Sequence, residues 1–111
     1  MEDKIKSGYL YDFYGELLTE HQRRVYELSI VEDLSLSEIA DSLSISRQGV
    51  HDTIKRCNHL LQDYESRLHL VEKFMNIRQD VIRIKELTDG AVSPDTLSEI
   101  SRLSGLILEE L

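Results

Sequence analysis

Arg47, Gln48, His51, Lys55 and Arg56 fall within ten residues at helical spacings, and their side chains define the chemistry on offer. Guanidinium and ammonium groups bond phosphate oxygens, arginine also matches a guanine edge, and glutamine can bond adenine in bidentate fashion. A hydroxyl, Ser46, immediately precedes them. Catalytic sets are not apparent. The four histidines, His21, His51, His59 and His69, form no pair at i, i+4. His59 with Asp63 and Glu65 with His69 do share that spacing and read as surface ion pairs rather than metal ligands. Cys57, the one cysteine, lies on an apolar stripe, where a thiol is a poor nucleophile. There is no glycine-rich phosphate loop. Binding is therefore expected rather than catalysis, with no catalytic residue, no metal and no cofactor.

The elements that must hold those side chains are legible around them. The run LSLSEIADSLSISRQGVHDTIKR, residues 34–56, reads as two short helices joined by a tight turn. Ile39, Ala40 and Leu43 share one face of the first, Ile45 follows at the turn, and Val50, Ile54 and Cys57 form the stripe of the second. Ser35 with Glu38 makes a capping box, and Ser46 is a natural N-cap. Ala40 is small where two crossing helices approach closely. This is a helix-turn-helix pattern over residues 35–57. Turning Val50 and Ile54 inward turns Gln48, His51, Asp52, Lys55 and Arg56 outward, with Arg47 at the rim of the first turn. The second helix of such a motif lies in the major groove, so Ser46, Arg47, Gln48, His51, Lys55 and Arg56 form the expected nucleic-acid-binding set.

Composition opposes an ordinary duplex binder. The chain of 111 residues carries 21 Asp and Glu against 13 Lys and Arg, a formal charge of −8. Within residues 20–56, seven acids (Glu20, Glu27, Glu32, Asp33, Glu38, Asp41, Asp52) face five bases (Arg23, Arg24, Arg47, Lys55, Arg56). Phosphate contact dominates duplex affinity, so weak or conditional DNA binding is expected, and use of the acidic fold as a protein-docking surface is the alternative. A single cysteine permits no internal disulfide. No apolar run approaches the roughly 20 residues of a membrane span, and the N-terminus lacks a signal-peptide core; a cytoplasmic location without membrane insertion is expected.

The remaining segments all carry helical spacing, which predicts an all-α fold of about six helices. Residues 3–18 show Ile5, Tyr9, Phe13 and Leu17 in steps of four, with Leu10, Tyr14 and Leu18 alongside. The aromatics of this region are expected in the core rather than stacked on bases, Tyr11 being off the stripes. Thr19 caps a supporting helix bearing Val25, Leu28 and Val31. From Ser46 to about Thr88 the seam Val50, Ile54, Cys57, Leu61, Tyr64, Leu68, Val71, Met75 slips in phase to Phe74, Ile77, Val81 and Ile84. The stretch is either one long helix or two, with residues 64–70 the place for a bend and Ser66 the restart. Gly90 suits a C′ position, and Ser93-Pro94-Asp95 opens the last helix. That helix sets Leu97, Ile100, Leu103, Ile107 and Leu111 on one face, with Ser104 and Gly105 permitting close helix contact. The expected organisation is an N-terminal helix plus helix-turn-helix domain, residues 1–66, and a C-terminal helical arm, residues 67–111, whose apolar surface pairs two subunits into a homodimer.

The run LLTEHQRRVYELSIVEDLSLSEIADSLSISRQGVHDTIKR, residues 17–56, resembles region four of bacterial sigma factors, in which an "LT..Q" stretch opens the supporting helix. Over nearly its whole length, from YLYDFYGELLT through SISRQGVHDTIKRC and YESRLHLVEKF, the chain resembles the YlxM family of small helix-turn-helix proteins. The first resemblance implies a tri-helical, sigma region four-like domain, here extended by a long helix and a C-terminal helical hairpin. The second implies DNA as a partner and a gene beside those of the signal recognition particle GTPase and its receptor, hence an accessory role in that pathway with the GTPase or its RNA as partner. Gln48, Gly49 and Asp52 depart from the sigma pattern, which limits the promoter-reading carry-over to Arg47 and Lys55. No sigma core-binding regions are present, so action as a sigma factor is not expected.

Overall fold

The computed structural model describes residues 2–111, with side chains from Lys4 onward. All its regular structure is helical: α1 (Glu2–Tyr14), a 3₁₀ turn (Gly15–Leu17), α2 (Glu20–Ile30), α3 (Leu36–Leu43), α4 (Arg47–Leu68), α5 (Leu70–Thr88) and α6 (Pro94–Glu110). No described helix is long and apolar enough to cross a membrane. The chain divides into two compact units between His69 and Leu70.

Helix starts follow local chemistry. Thr19 and Ser35 close reciprocal capping boxes with Gln22 and Glu38, and the Ser46 and Ser93 hydroxyls accept from the amides of Gly49 and Thr96. Each cap satisfies amides that the first turn leaves orphaned. Helix ends are handled differently. Asp33, Ser44 and His69 adopt left-handed backbone, φ 57 to 59°, where glycine would be the easier residue. His69 breaks the long stretch into α4 and α5, while Ser66 stays inside α4 and returns its hydroxyl to the Asp63 carbonyl at 2.7 Å. Gly90 takes no left-handed cap, because the Asp89 amide and the Thr88 hydroxyl already reach the Lys85 carbonyl at 3.2 and 2.8 Å.

In the first unit α1, α2 and α3 all pack on α4. Val25 and Leu28 of α2, Ile39 and Ala40 of α3 and Val50 of α4 form the centre, ringed by Leu34, Leu36, Leu43, Ile45 and Ile54. Val31, expected on the supporting stripe, is exposed at the C-cap of α2. Two buried tyrosines clamp α1 and α2 to the far half of α4: Tyr14 donates to a Glu65 carboxylate oxygen at 2.5 Å and Tyr26 to Asn58 at 2.6 Å. These aromatics are core, as expected from their stripes.

The first helix departs from expectation. It stops at Tyr14, and Leu10, Tyr14 and Leu18 enter the core, whereas Ile5, Phe13 and Leu17 are more exposed. The cause is the Thr19 cap, which needs extended backbone at Leu18 and Thr19; the 3₁₀ turn delivers Leu18 inward on the way. Gly15 makes that turn possible. A Cβ there would lie 2.8 to 3.0 Å from the Tyr11 ring, itself held by the Tyr26 ring at 5.6 Å and by a hydrogen bond to Glu27.

In the second unit α5 and α6 form an antiparallel hairpin in which Asn76 donates to Glu110 at 3.3 Å. A Cβ on Gly105 would meet nothing within 4 Å, so that residue serves no close contact inside the unit.

Gly15→Ala is expected to cost about 1 to 3 kcal/mol, because the confined Tyr11 ring must move. Urea unfolding followed by circular dichroism measures it; a neutral substitution would show that the ring yields freely.

Candidate nucleic-acid interface

Between α3 and α4 the chain reverses at Ser44, and the Ile45 amide donates to the Ala40 carbonyl at 3.1 Å. Ile45 thereby drops onto the core, and Ser46 emerges extended as the N-cap of α4. Burial of Val50 sets the rotation of α4, which leaves Arg47, Gln48, His51, Asp52, Lys55 and Arg56 exposed on its outer side. The six residues expected as a binding set are thus grouped at the start of one helix, five with solvent-facing side chains. Ser46 differs. Its hydroxyl accepts the Gly49 amide at 2.9 Å and is spent on the cap. Gly49 belongs to that arrangement, since a Cβ there would stand 3.0 Å from the same oxygen.

The electrostatics of this end are distinctive. α2, α3, α5 and α6 each carry an acid in the first turn, which complements the positive end of the helix dipole; α4 has none and begins with Arg47. A cation there opposes the dipole and disfavours the helix slightly, while an anion brought from outside would relieve it. Arg47, Gln48 and His51 line a shallow concavity of about 320 Å³ together with Leu36 from the start of α3. Farther along, the outer side of α4 continues through Lys55, Arg56, His59 and Leu60 to Asp63. Asp63 pairs with Arg67 at 3.4 Å rather than with His59.

The bond between Asp52 and Gln48 is the part of this face that sequence reasoning missed. Asp52 Oδ1 accepts from Gln48 Nε2 at 2.9 Å and lies 3.4 Å from His51 Nδ1. The amide nitrogen of Gln48 has two protons, so one N–H and the carbonyl oxygen remain for an adenine edge while the bond to Asp52 orients them. The spacing of 48 and 52, i and i+4 on a helix, was the available signal. Asp52 also places a negative charge among Lys55, Arg56 and His51, and so weakens any attraction to phosphate.

Cys57 lies behind this face. Burial pushes its thiol up to about 11, against a smaller opposing pull from Arg56, and Sγ sits 3.8 Å from the Gln22 carbonyl. Tyr11 is pushed up to about 12, by burial first and then by its bond to Glu27. Both acids release protons more readily unfolded than folded. Their contribution to stability is therefore complete below about pH 9 and is lost as pH rises through 11 and 12.

The sequence matches the family UPF0122, described as "Putative helix-turn-helix protein, YlxM / p13 like", over residues 1–101. Similar proteins include a UPF0122 protein of Clostridium kluyveri, 41% identical over 111 residues that span all of both chains. One from Desulforamulus reducens is 39% identical over 96% of this chain and 92% of its own. A third, from Clostridium novyi, is 48% identical over 78% of this chain and 72% of its own.

A thiol reagent such as dithionitrobenzoate is expected to leave the native chain unmodified at pH 8 and to react at once in urea. Fast native reaction would contradict the burial of Cys57.

Proposed function

Because the chain belongs to UPF0122, the family of YlxM and p13-like helix-turn-helix proteins, we propose that it is a DNA-binding regulatory protein that reads duplex DNA with the start of α4. The observation that carries this is Arg47 at the first residue of the one helix from α2 to α6 whose first turn holds no acid, beside exposed Gln48, His51, Lys55 and Arg56. A dipole left without its carboxylate, with a cation at the wrong end, sacrifices a little stability for a contact with something anionic. Arg47 and Gln48 meet base edges, with guanine and adenine the matching partners; Lys55 and Arg56 neutralise phosphates; His51 lies between. Ser46 acts through the cap by holding the first turn in place. No step of this reading makes the protein an enzyme. Its setting is the cytoplasm, and its working unit is a homodimer, which presents two such helices to the two-fold symmetry of duplex DNA.

A second reading is favoured by the net charge of −8. An acidic helical surface docks readily onto a basic protein, and the YlxM resemblance points to the signal recognition particle GTPase, with its RNA as the competing ligand. The two readings part on salt and on which side chains matter.

Fluorescence anisotropy with random duplex DNA and with the signal recognition particle RNA hairpin separates them. If Arg47, Lys55 and Arg56 each neutralise one phosphate, affinity for duplex should fall roughly 40-fold from 50 to 200 mM salt, and Arg47→Ala/Lys55→Ala should abolish it. No affinity for either nucleic acid below about 100 µM would sink the DNA reading and direct the search to the GTPase. Asp52→Asn removes a charge beside the phosphates and is expected to tighten binding severalfold. Weaker binding would instead mean that its hold on Gln48 outweighs its repulsion.

A further inference from the structure

Of the exposed side chains at the start of α4, Gln48 and Asp52 stand most directly opposite the core. At roughly 100° per residue each lies about 160° around the helix from buried Val50, one on either side. They are joined: Gln48 Nε2 donates to Asp52 Oδ1 at 2.9 Å. A carboxylate only accepts, so Asp52 can hold the nitrogen end of the Gln48 amide and never the oxygen end. One of the two N–H bonds is thereby spent, and the amide keeps one donor and one acceptor for an outside partner. We infer that Asp52 is a specificity-determining residue, one that makes Gln48 a reader of adenine and excludes guanine from the base position it meets.

The base edges differ in what they ask of such an amide. Among the four bases only adenine sets an acceptor, N7, beside a donor, its N6 amino group, on one major-groove edge. One N–H and one carbonyl oxygen match that pair. Guanine presents two acceptors, N7 and O6. A free glutamine amide can turn both of its N–H bonds on them. Tied to Asp52, the amide has one N–H left and sets its own oxygen against an acceptor, so two groups go unpaired as water leaves the contact. Thymine and cytosine each satisfy one of the two groups, thymine through O4 and cytosine through N4.

The carboxylate has another partner within reach. Arg56 stands four residues beyond Asp52, the spacing at which aspartate and arginine pair on a helix. Among the described residues Asp52 nevertheless enters no ion pair with lysine or arginine. Its other contact is His51 Nδ1, 3.4 Å from the same Oδ1. Asp52 is thus turned toward the first turn of α4, where bases are met, and away from the cation that suits a phosphate.

Asp52 has this role only if α4 reads duplex DNA, as proposed above, and base selection separates the two claims. Duplexes with a randomised core are bound and sequenced with the wild type, Gln48→Ala, Asp52→Ala and Asp52→Glu, and circular dichroism checks that each is folded. A charge at residue 52 acts on phosphates whatever the base, so the ratio of affinities for adenine and guanine at one position is free of it. In the wild type one position should favour adenine over guanine roughly ten- to hundredfold, the worth of one bidentate contact. Gln48→Ala should lose that preference and no other. Asp52→Ala should admit guanine and leave a preference below about threefold, while other positions keep theirs. Asp52→Glu, which restores a group that only accepts, should recover most of it. Adenine preference that survives Asp52→Ala, or a Gln48 position that selects guanine, overturns the inference and leaves DNA reading in place. So does binding in which no position responds to Gln48→Ala. A wild type that enriches no duplex overturns both.

Discussion

The rotational setting of α4 is the constraint on which the first unit depends. Val50, Cys57 and Leu61 are all fully buried along one side, and no rotation of the helix can expose one of them without exposing the others. Each neighbour then takes a fixed place against it: α3 through Ile39 and Ala40 near the start, α2 through Tyr26 and Asn58, α1 through Tyr14 and Glu65. A buried stripe at helical spacing implies an equally definite outer stripe, and that is where the charged and amide side chains stand. Core and candidate interface are two sides of one helix, so the packing of the first orients the second.

The start of α4 collects local departures from ideal helix design. Ser44 takes a left-handed conformation that costs an L-residue about 1 to 2 kcal/mol. Arg47 opposes the helix dipole, and Gly49 gives up about 1 kcal/mol of helix propensity relative to alanine. Against these stand the Ser46 cap, the Ile45 amide bond to Ala40 and the burial of Ile45 and Val50. Natural sequences break local rules where something other than stability is required. That three such departures lie within six residues, beside the exposed cations, supports this end of α4 as the working surface.

Asp52 bears on the tension between an acidic chain and the anionic ligand proposed for it. A carboxylate on the outer face repels phosphate at long range, yet at short range it holds the Gln48 amide in one orientation and engages His51. Ordering a side chain before contact lowers the entropy lost on contact. The arrangement exchanges affinity for definition, as suits a protein whose overall charge already disfavours indiscriminate attachment to nucleic acid.

How far the structure was legible depended on the range of the interactions involved. The N-caps at Thr19, Ser35, Ser46 and Ser93 could be read directly, because a cap is settled within four residues. The all-helical fold and the inward stripe of α4 were equally plain, since periodicity is a local property. Which of two apolar stripes on α1 enters the core was not, because the stripe of Leu10 and Tyr14 is secured by Glu65 on α4, 51 residues beyond Tyr14. The bend falls within residues 64–70, as the sequence predicts, but its exact place at His69 rather than Ser66, the missing glycine cap at Gly90 and the open space around Gly105 were decided by surrounding backbone and packing. So was the hold of Asp52 on Gln48, whose spacing was visible but whose rotamers were not. By itself the chain specified its helices, their starts and the identity of the exposed cations, all consequences of neighbours along the sequence. Only the tertiary structure decided which of its two stripes α1 buries, because Tyr14 is held by a residue 51 positions away, and which rotamers join Asp52 to Gln48, because helical spacing alone leaves them open.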